Sequence, residues 1–240
     1  MKQLAPDVWR LHESPAPVTN CYLIGDVLID TGRRWDRGRI LKEIADRKLS
    51  LVALTHVHPD HQGLAHAICT ERHIPLACHA DDVPAMEGRR PINEPTLDTG
   101  LTRLLTKLWQ GPPHPVARVL REGDDLAGFR VIHAPGHSRG EIILFRESDR
   151  VAICGDVIRN ISFLTLRPGL REPLASLTYD IPENRRSIRR LAELQPSLIL
   201  PGHGPEVTDL AAFHKWLGTM KRGPLFHRIE VRYLGPPPTP

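Results

Sequence analysis

One short segment constrains this chain more than any other. Three histidines and an aspartate fall within residues 56–61, at the end of residues 50–56 (SLVALTH), whose lack of polar alternation is typical of a strand buried on both faces. Residues two apart in an extended segment project to the same side, so His56 and His58 point together. Asp60 and His61 follow at the turn into the next predicted helix, where they can face a second metal. Imidazole and carboxylate are ligands that zinc, iron and manganese accept, so the segment predicts a metal site.

Burial and three later segments support the same interpretation. Histidines and a carboxylate at the end of a buried strand would cost desolvation free energy without a cation. Three further loops, each containing glycine and following a predicted strand, add one ligand-type residue apiece. Each turn alone is ordinary turn chemistry, but loops over one sheet edge can converge on a shared site. The added residues are His137 in 134–140, Asp156 in 154–156 and His203 in 200–204.

The order of predicted strands and helices favours an α/β fold with two sheets. Strand-like runs form two groups, separated by the proline-rich residues 87–115, and helical patterns lie between them, including residues 61–73 (HQGLAHAICTERH). We therefore predict one domain over residues 1–235, built as a four-layer αββα sandwich. Residues 87–115 are predicted to be a lid insertion. Residues 159–180 are predicted to be irregular, and the tail 236–240 to be disordered.

Charge and hydropathy limit the classes of partner that this chain is expected to bind. The formal net charge is +4, but basic and acidic residues are interleaved along the chain, so we expect no nucleic-acid partner. No apolar run approaches the roughly 18–20 residues of a membrane span, and the N-terminal segment MKQLAPDVWRLHES lacks the apolar region of a signal peptide. We expect no membrane partner, a cytoplasmic location and a small-molecule substrate. Four cysteines without a CxxC pair are interpreted as buried thiols. The sequence makes no prediction of the oligomeric state.

The ligand-type motifs, taken in order, resemble the metallo-β-lactamase-fold hydrolases. HxHxDH at 56–61 is followed by a PGH histidine, a Gly-Asp pair and a GHG loop, and the likeness runs from Asp30 in LIDTG to His203. The resemblance implies an αββα sandwich with the metals at one edge of the two sheets. Asp30 is expected to lie behind the ligands and to fix their loop. By the same resemblance the first metal is held by His56, His58 and His137, the second by Asp60, His61 and His203, and Asp156 bridges both.

Two positions distinguish branches of that family. Zinc β-lactamases most often have a cysteine where this chain has Asp156, and they are exported, so an antibiotic-degrading role is not expected. The flavodiiron branch has glutamate in place of the second motif histidine, which here is His58. The pattern is most similar to the glyoxalase II and related thioesterase and lactonase branch. The helical, basic C-terminal extension with which glyoxalase II binds glutathione is not recognisable in this sequence.

The resemblance also implies a reaction. Two divalent metal ions are expected, with zinc favoured and iron or manganese as alternatives, and a hydroxide bridging them would attack an ester-like bond in a thioester, lactone or related acyl substrate. Asp60 is the predicted catalytic residue, because it would both ligate and orient the nucleophile. Two other functions remain open: a metal-dependent phosphodiesterase or nuclease, and a metal-binding protein without turnover.

Several other residues are candidates for contact with the substrate or with a metal. Related lactonases use a tyrosine hydroxyl near the metals, but for Tyr179 a place in the core is favoured. Arg159, Arg167 and Arg171 follow Asp156 and are candidates for binding an acidic group, with solvated arginines as the alternative. His79 is interpreted as an ordinary loop histidine.

Overall fold

A computed structural model describes residues 1–11, 19–92 and 99–220. The first seven strands form one sheet in chain order. They are β1 (Lys2–Ala5), β2 (Val8–Arg10), β3 (Tyr22–Ile24), β4 (Val27–Ile29), β5 (Leu51–Ala53), β6 (Leu76–His79) and β7 (Arg118–Leu120). Strands β1 to β4 pair antiparallel, whereas β4 to β7 pair parallel. Parallel neighbours need crossover connections, and the helices in these connections are α1 (Arg37–Glu43), α2 (Pro59–Gln62), α3 (Ala65–Arg72), α4 (Val83–Met86) and α5 (Gly100–Trp109).

The second half of the chain forms a five-stranded sheet and a separate hairpin. The strands are β8 (Asp125–Leu126), β9 (Phe129–His133), β10 (Ile142–Arg146), β11 (Val151–Gly155), β12 (Arg159–Ile161), β13 (Pro168–Arg171) and β14 (Leu198–Pro201). The sheet order is β14-β11-β10-β9-β8, with β11 and β14 parallel, and β12 pairs with β13 alone. Two helices follow the hairpin and the last strand, α6 (Ile181–Glu193) and α7 (Leu210–Met220).

Three apolar clusters fill the spaces between the layers of helices and sheets. The middle cluster joins the two sheets, with Leu51 of β5 and Val151 of β11 among its members. Val52, the next residue of β5, belongs instead to the cluster under α1 and α3, since successive strand residues point to opposite faces. Likewise Ala152 of β11 faces the cluster under α6 and α7. The order is helices, sheet, sheet, helices, which confirms the predicted αββα sandwich.

The structure differs from the sequence prediction at one stretch and leaves others open. Residues 159–180 are not irregular throughout, because they contain the β12–β13 hairpin, whose strands are too short to show a period-two pattern. The single domain over 1–235 stays a prediction. The tail 236–240 and residues 93–98 of the predicted lid lie outside the described residues.

Two composition-based expectations can be compared with the structure. All four cysteines are free and buried, as predicted. Across the three described ranges, no helix has both the length and the apolar character that a membrane span requires.

Candidate metal centre

The seven predicted ligands come from four segments, each of which follows a strand. Four of them lie in the loop after β5 and in the short helix α2, which begins directly after His58. The loops after β9, β11 and β14 carry His137, Asp156 and His203. The strand ends lie side by side, since β11 pairs with both β10 and β14, and the backbone N–H of Ile142 in β10 donates to the carbonyl of Thr55 after β5. All seven residues are thereby brought to one edge of the two sheets, as predicted.

The side chains form three overlapping groups, and within each group the ligand atoms lie within 4.8 Å of one another. Asp156 connects the groups: its carboxylate oxygens lie 3.0 Å from Nε2 of His203, 3.4 Å from Nε2 of His137 and 3.6 Å from Nε2 of His61. One carboxylate between rings of both predicted ligand sets is the arrangement that a bridging ligand requires. The groups are His56, His58 and His137; His56, His61 and Asp156; and Asp60, His61 and His203.

Buried polar atoms without hydrogen-bond partners show that these residues fit divalent cations. Nε2 of His56, Nε2 of His61 and Oδ1 of Asp156 are all buried and have no hydrogen-bond partner among the described residues. Leaving a buried polar atom unsatisfied costs roughly 1–3 kcal/mol, and more for a charged group. Nitrogen and oxygen lone pairs converging in this way are the donor set that zinc and iron bind.

The close packing of the predicted ligands requires glycine at position 202. A Cβ atom at this position would lie 2.3 Å from Oδ1 of Asp156 and 2.8 Å from Cε1 of His61. Any side chain here would therefore displace two of the predicted ligands.

Asp30 fixes the orientation of His61, in agreement with its predicted place behind the ligands. Its Oδ2 lies 2.9 Å from Nδ1 of His61 and accepts a hydrogen bond from the hydroxyl of Thr55 at 2.7 Å. Its other oxygen accepts from the backbone N–H of Thr55. With Nδ1 held by a carboxylate, His61 presents Nε2 to the centre, as in metal sites where an acid orients the ligating histidine.

The sequence analysis missed Glu141, a fully buried acid at the start of β10. One of its oxygens accepts the backbone N–H of Asp156 at 2.9 Å, and the other lies 3.4 Å from Nδ1 of His56. Gly155 makes room for it: a Cβ there would be 2.1 Å from Oε1 of Glu141. The signal available in the sequence was a single acid opening the apolar run EIILF, four residues after His137.

Asp82, the second missed residue, connects two of the ligand loops. Its carboxylate accepts the backbone N–H of Val57, which lies between His56 and His58, and the hydroxyl of Ser138, which follows His137. It also accepts the backbone N–H of Gly140 at 3.0 Å. No spacing pattern predicts this residue, since its partners are distant in sequence.

The centre divides electrostatically into two halves. Burial, followed by the neighbouring imidazoles, lowers the pKa of His56 well below its usual value. Burial is also the main reason that the pKa of His58 falls to about 4, and it lowers the pKa of His137 strongly. The lowered pKa values favour the neutral form of the three rings, in which imidazole can bind a cation, and Nδ1 of His58 lies 2.9 Å from Nε2 of His137.

In the other half, the charges of nearby carboxylates raise the pKa values of the histidines by more than burial lowers them. Burial alone would lower the pKa of His61, but the charges of Asp30 and Asp156 raise it to about 10. The same balance, with Asp156 and Asp60 as the opposing charges, raises the pKa of His203. Burial would raise the pKa of Asp156, yet His203 and His61 hold it far below its usual range. The nearby carboxylates therefore stabilise positive charge at this half of the centre, on the rings or on a bound cation.

Three further side chains, those of Phe163, Tyr179 and His79, differ in their distance from the centre. The ring of Phe163 meets His203 edge-on at 5.0 Å. Tyr179 is half exposed rather than in the core, and the Arg139 guanidinium stacks over its ring at 4.0 Å. His79 ends β6 instead of lying in a loop as predicted, and its ring stacks on that of His133 at 3.9 Å, in a different cluster.

Fold and centre together define a metal-dependent hydrolase with a histidine- and aspartate-rich metal site. The chain belongs to the metallo-beta-lactamase superfamily, whose family profile matches residues 15–203. It is 30% identical over 226 residues to a probable metallo-hydrolase, YflN of Bacillus subtilis, with 82% of this chain and 85% of that protein covered. It is also 30% identical over 168 residues to the acyl-coenzyme A thioesterase MBLAC2 of Gallus gallus, across 64% of this chain and 56% of that protein.

Solved structures share the fold. TTHA1623 in a di-iron-bound form is 29% identical and superposes with a TM-score of 0.62, covering 89% of this chain and 97% of that one. A metallo-beta-lactamase family protein from Thermus thermophilus, TTHA1429, gives a TM-score of 0.67 at 22% identity, over 92% of this chain and 81% of that one. At that level of identity the second likeness concerns the fold alone.

Proposed function

We propose that this hydrolase holds two divalent cations and cleaves an ester-like acyl bond, with thioesters as the first substrates to examine. The position of Asp156 carries the proposal, since its carboxylate lies within 3.6 Å of ring nitrogens from both halves of the centre. A single tetrahedral ion uses about four ligands, whereas seven ligand-type side chains converge here. Zinc is our first candidate, and the di-iron form of TTHA1623 makes iron the second.

The residues at the centre have separable tasks. When bound, two divalent cations would lower the pKa of a water molecule, so that hydroxide is available at neutral pH, and would polarise the carbonyl oxygen of the substrate. The neutral rings of His56, His58 and His137 would hold one cation; His61, His203 and Asp60 would hold the other, with Asp156 shared. Asp60 differs from the other six because its side chain is 18% exposed. Its carboxylate can therefore accept a proton from water at the substrate site and release it to solvent.

An acyl substrate is favoured by a relative and by the surroundings of the centre. MBLAC2 is an acyl-coenzyme A thioesterase, and the motif resemblance led us to expect the thioesterase and lactonase branch. Beside the centre lies the ring of Phe163, against which an acyl group can pack. A nucleic acid would instead need several phosphate contacts along a basic strip.

The test compares three reactions on one preparation. The zinc-loaded and iron-loaded proteins are assayed with a thioester, a lactone and a bis-aryl phosphodiester at two ionic strengths. We expect the highest kcat/KM for the thioester or lactone, with activity lost on chelation and regained on adding metal. A clear preference for the phosphodiester, or RNA binding that weakens with salt, would support the phosphodiesterase alternative. Full metal loading without turnover of any substrate would support a binding protein.

A further inference from the structure

The β12–β13 hairpin, which follows Asp156, places two arginines directly opposite each other. Arg159 and Arg171 are cross-strand partners in this antiparallel pair. Directly opposite residues project from the same face, and like charges in such a pair are destabilising. A protein that retains this arrangement needs another source of stabilisation for it.

The described part of the chain supplies no carboxylate for either arginine. Arg159 donates from Nε to the carbonyl of Glu172 at 3.0 Å and from Nη1 to the carbonyl of Ile161 at 2.7 Å. The carboxylate of Glu172, close by in sequence, is occupied by Arg185 through two hydrogen bonds of 2.6 and 3.0 Å. Burial, and then the charge of Arg171, lower the pKa of Arg159, while Asp156 opposes them.

The pair lies beside the metal centre. The guanidinium of Arg159 stacks over the ring of Phe163 at 4.8 Å, and the ring of Phe163 also meets that of His203 edge-on at 5.0 Å. The backbone N–H of Asn160, next to Arg159, donates to the carbonyl of His203 at 2.8 Å. The ring of Phe163 therefore contacts both a predicted metal ligand and the arginine.

We propose that Arg159 and Arg171 form a subsite for an anionic group, carboxylate or phosphate, carried by the acyl substrate. This inference rests on the proposed function. Two backbone carbonyls hold Arg159 in place, and its Nη2 makes no hydrogen bond within the described ranges, so it is free to donate to an anion. Arg171 is exposed and can close on the same group from the opposite strand. Guanidinium pairs bind carboxylate and phosphate oxygens through charge-assisted hydrogen bonds. The anion would replace the missing carboxylate and relieve the repulsion.

Binding is measured first, since it does not depend on turnover. The probes are thioethers, which cannot be hydrolysed, with one alkyl chain on three carriers: neutral N-acetylcysteamine, glutathione with its carboxylates, and coenzyme A with its phosphates. Calorimetry with the metal-loaded protein should show one anionic carrier binding about tenfold more tightly than the neutral one, as expected for hydrogen bonds to a charged group. The difference should shrink at high salt. Whichever anionic carrier shows it identifies the anion.

Substitutions test whether the preference for an anionic carrier comes from Arg159 and Arg171. Arg171→Gln should remove most of the preference for the anionic carrier, and Arg171→Lys should restore part of it. Arg167→Gln is the matched control, because Arg167 is exposed in the same hairpin but has no arginine opposite. Thermal unfolding verifies that each variant folds. Equal binding of all three carriers, or an equal loss in Arg167→Gln, would overturn the subsite.

Hydrolysis of the matching thioesters separates this inference from the proposed function. Turnover of all three carriers without any anionic preference would refute the subsite and leave the thioesterase intact. Tight, Arg171-dependent binding without turnover of any thioester would support the subsite and refute the reaction.

Discussion

Asp156 is the residue on which both halves of the centre depend. Its oxygens lie among His61, His137 and His203, and Glu141 holds its backbone N–H from behind. The seven ligand-type residues could be predicted because strand period and loop position place them at one edge. Glu141 and Asp82 could not, since they act through long-range contacts that leave no local spacing. Conversely, the sequence did not indicate that Arg159 and Arg171 would face each other.

Asp60→Asn tests the catalytic assignment. The amide keeps the size of the side chain but cannot accept a proton, so we expect kcat to fall about 10²- to 10⁴-fold with a much smaller change in KM. Steady-state kinetics on the best acyl substrate measures this, and elemental analysis controls for lost metal. A variant with full metal content and unchanged kcat would remove Asp60 from the mechanism.

Glu141→Gln tests whether the buried acid orients a ligand. The substitution preserves an acceptor for the N–H of Asp156 but removes the carboxylate beside Nδ1 of His56. Partners behind metal ligands typically account for 10- to 100-fold in affinity, so we expect zinc affinity to fall by about that factor in competition with a chromophoric chelator. Glu147→Gln, a change in an exposed acid, should leave it unchanged. Equal affinities in the two variants would show that Glu141 only fills space.

At the scale of elements, long periodic patterns were predicted well and short or broken ones were not. The strand β5 lies within the apolar run 50–56, and the helix α6 covers most of residues 181–195 (IPENRRSIRRLAELQ), whose amphipathic spacing predicts a helix. The helical pattern at 61–73 is divided between α2 and α3. At the break, Gly63 donates to the carbonyl of Gly32 at 2.9 Å, and a Cβ on Gly63 would lie 2.5 Å from that carbonyl oxygen. This contact comes from a distant loop, so a local pattern carries no sign of it.

Asp82→Ala tests how the ligand loops are held together. Removing this carboxylate leaves the buried N–H groups of Val57 and Gly140 without their acceptor, and each such loss costs roughly 1–3 kcal/mol. We expect the free energy of unfolding to fall by about 2–4 kcal/mol in urea titrations, with weaker zinc binding. Asp81→Ala, at the exposed neighbouring residue, should stay within about 0.5 kcal/mol of wild type. If both substitutions have the same small effect, Asp82 does not connect the loops.

At the scale of the whole molecule, the layers do not depend on the metal centre for their cores. The middle apolar cluster is formed by strand residues and the outer two mainly by strand and helix residues, while the predicted ligands follow the strand ends at one edge. The element order was sufficient to predict two sheets between helices. It was not sufficient to predict the strand order β14-β11-β10-β9-β8, because pairing between distant strands is decided by tertiary contacts.

Metal removal should therefore leave a folded but less stable protein. At a free metal concentration of about 100 times Kd, binding to the native state contributes about 2.7 kcal/mol per site, so removal of both ions corresponds to a Tm decrease of roughly 10–20 °C for a chain of this size. Circular dichroism after chelation should retain the native spectrum, with Tm recovering when zinc is added back. An unfolded apo protein would mean that the metals organise the cores.

The most direct measurement is the metal content of the reconstituted protein. After loading with zinc and removal of unbound metal by gel filtration, elemental analysis should give about two ions per chain, since the ligand set exceeds what one tetrahedral site uses. His203→Ala should reduce the ratio toward one and leave the site of His56, His58 and His137 filled. A wild-type ratio of one, or only a trace of metal after loading, would contradict the dinuclear centre.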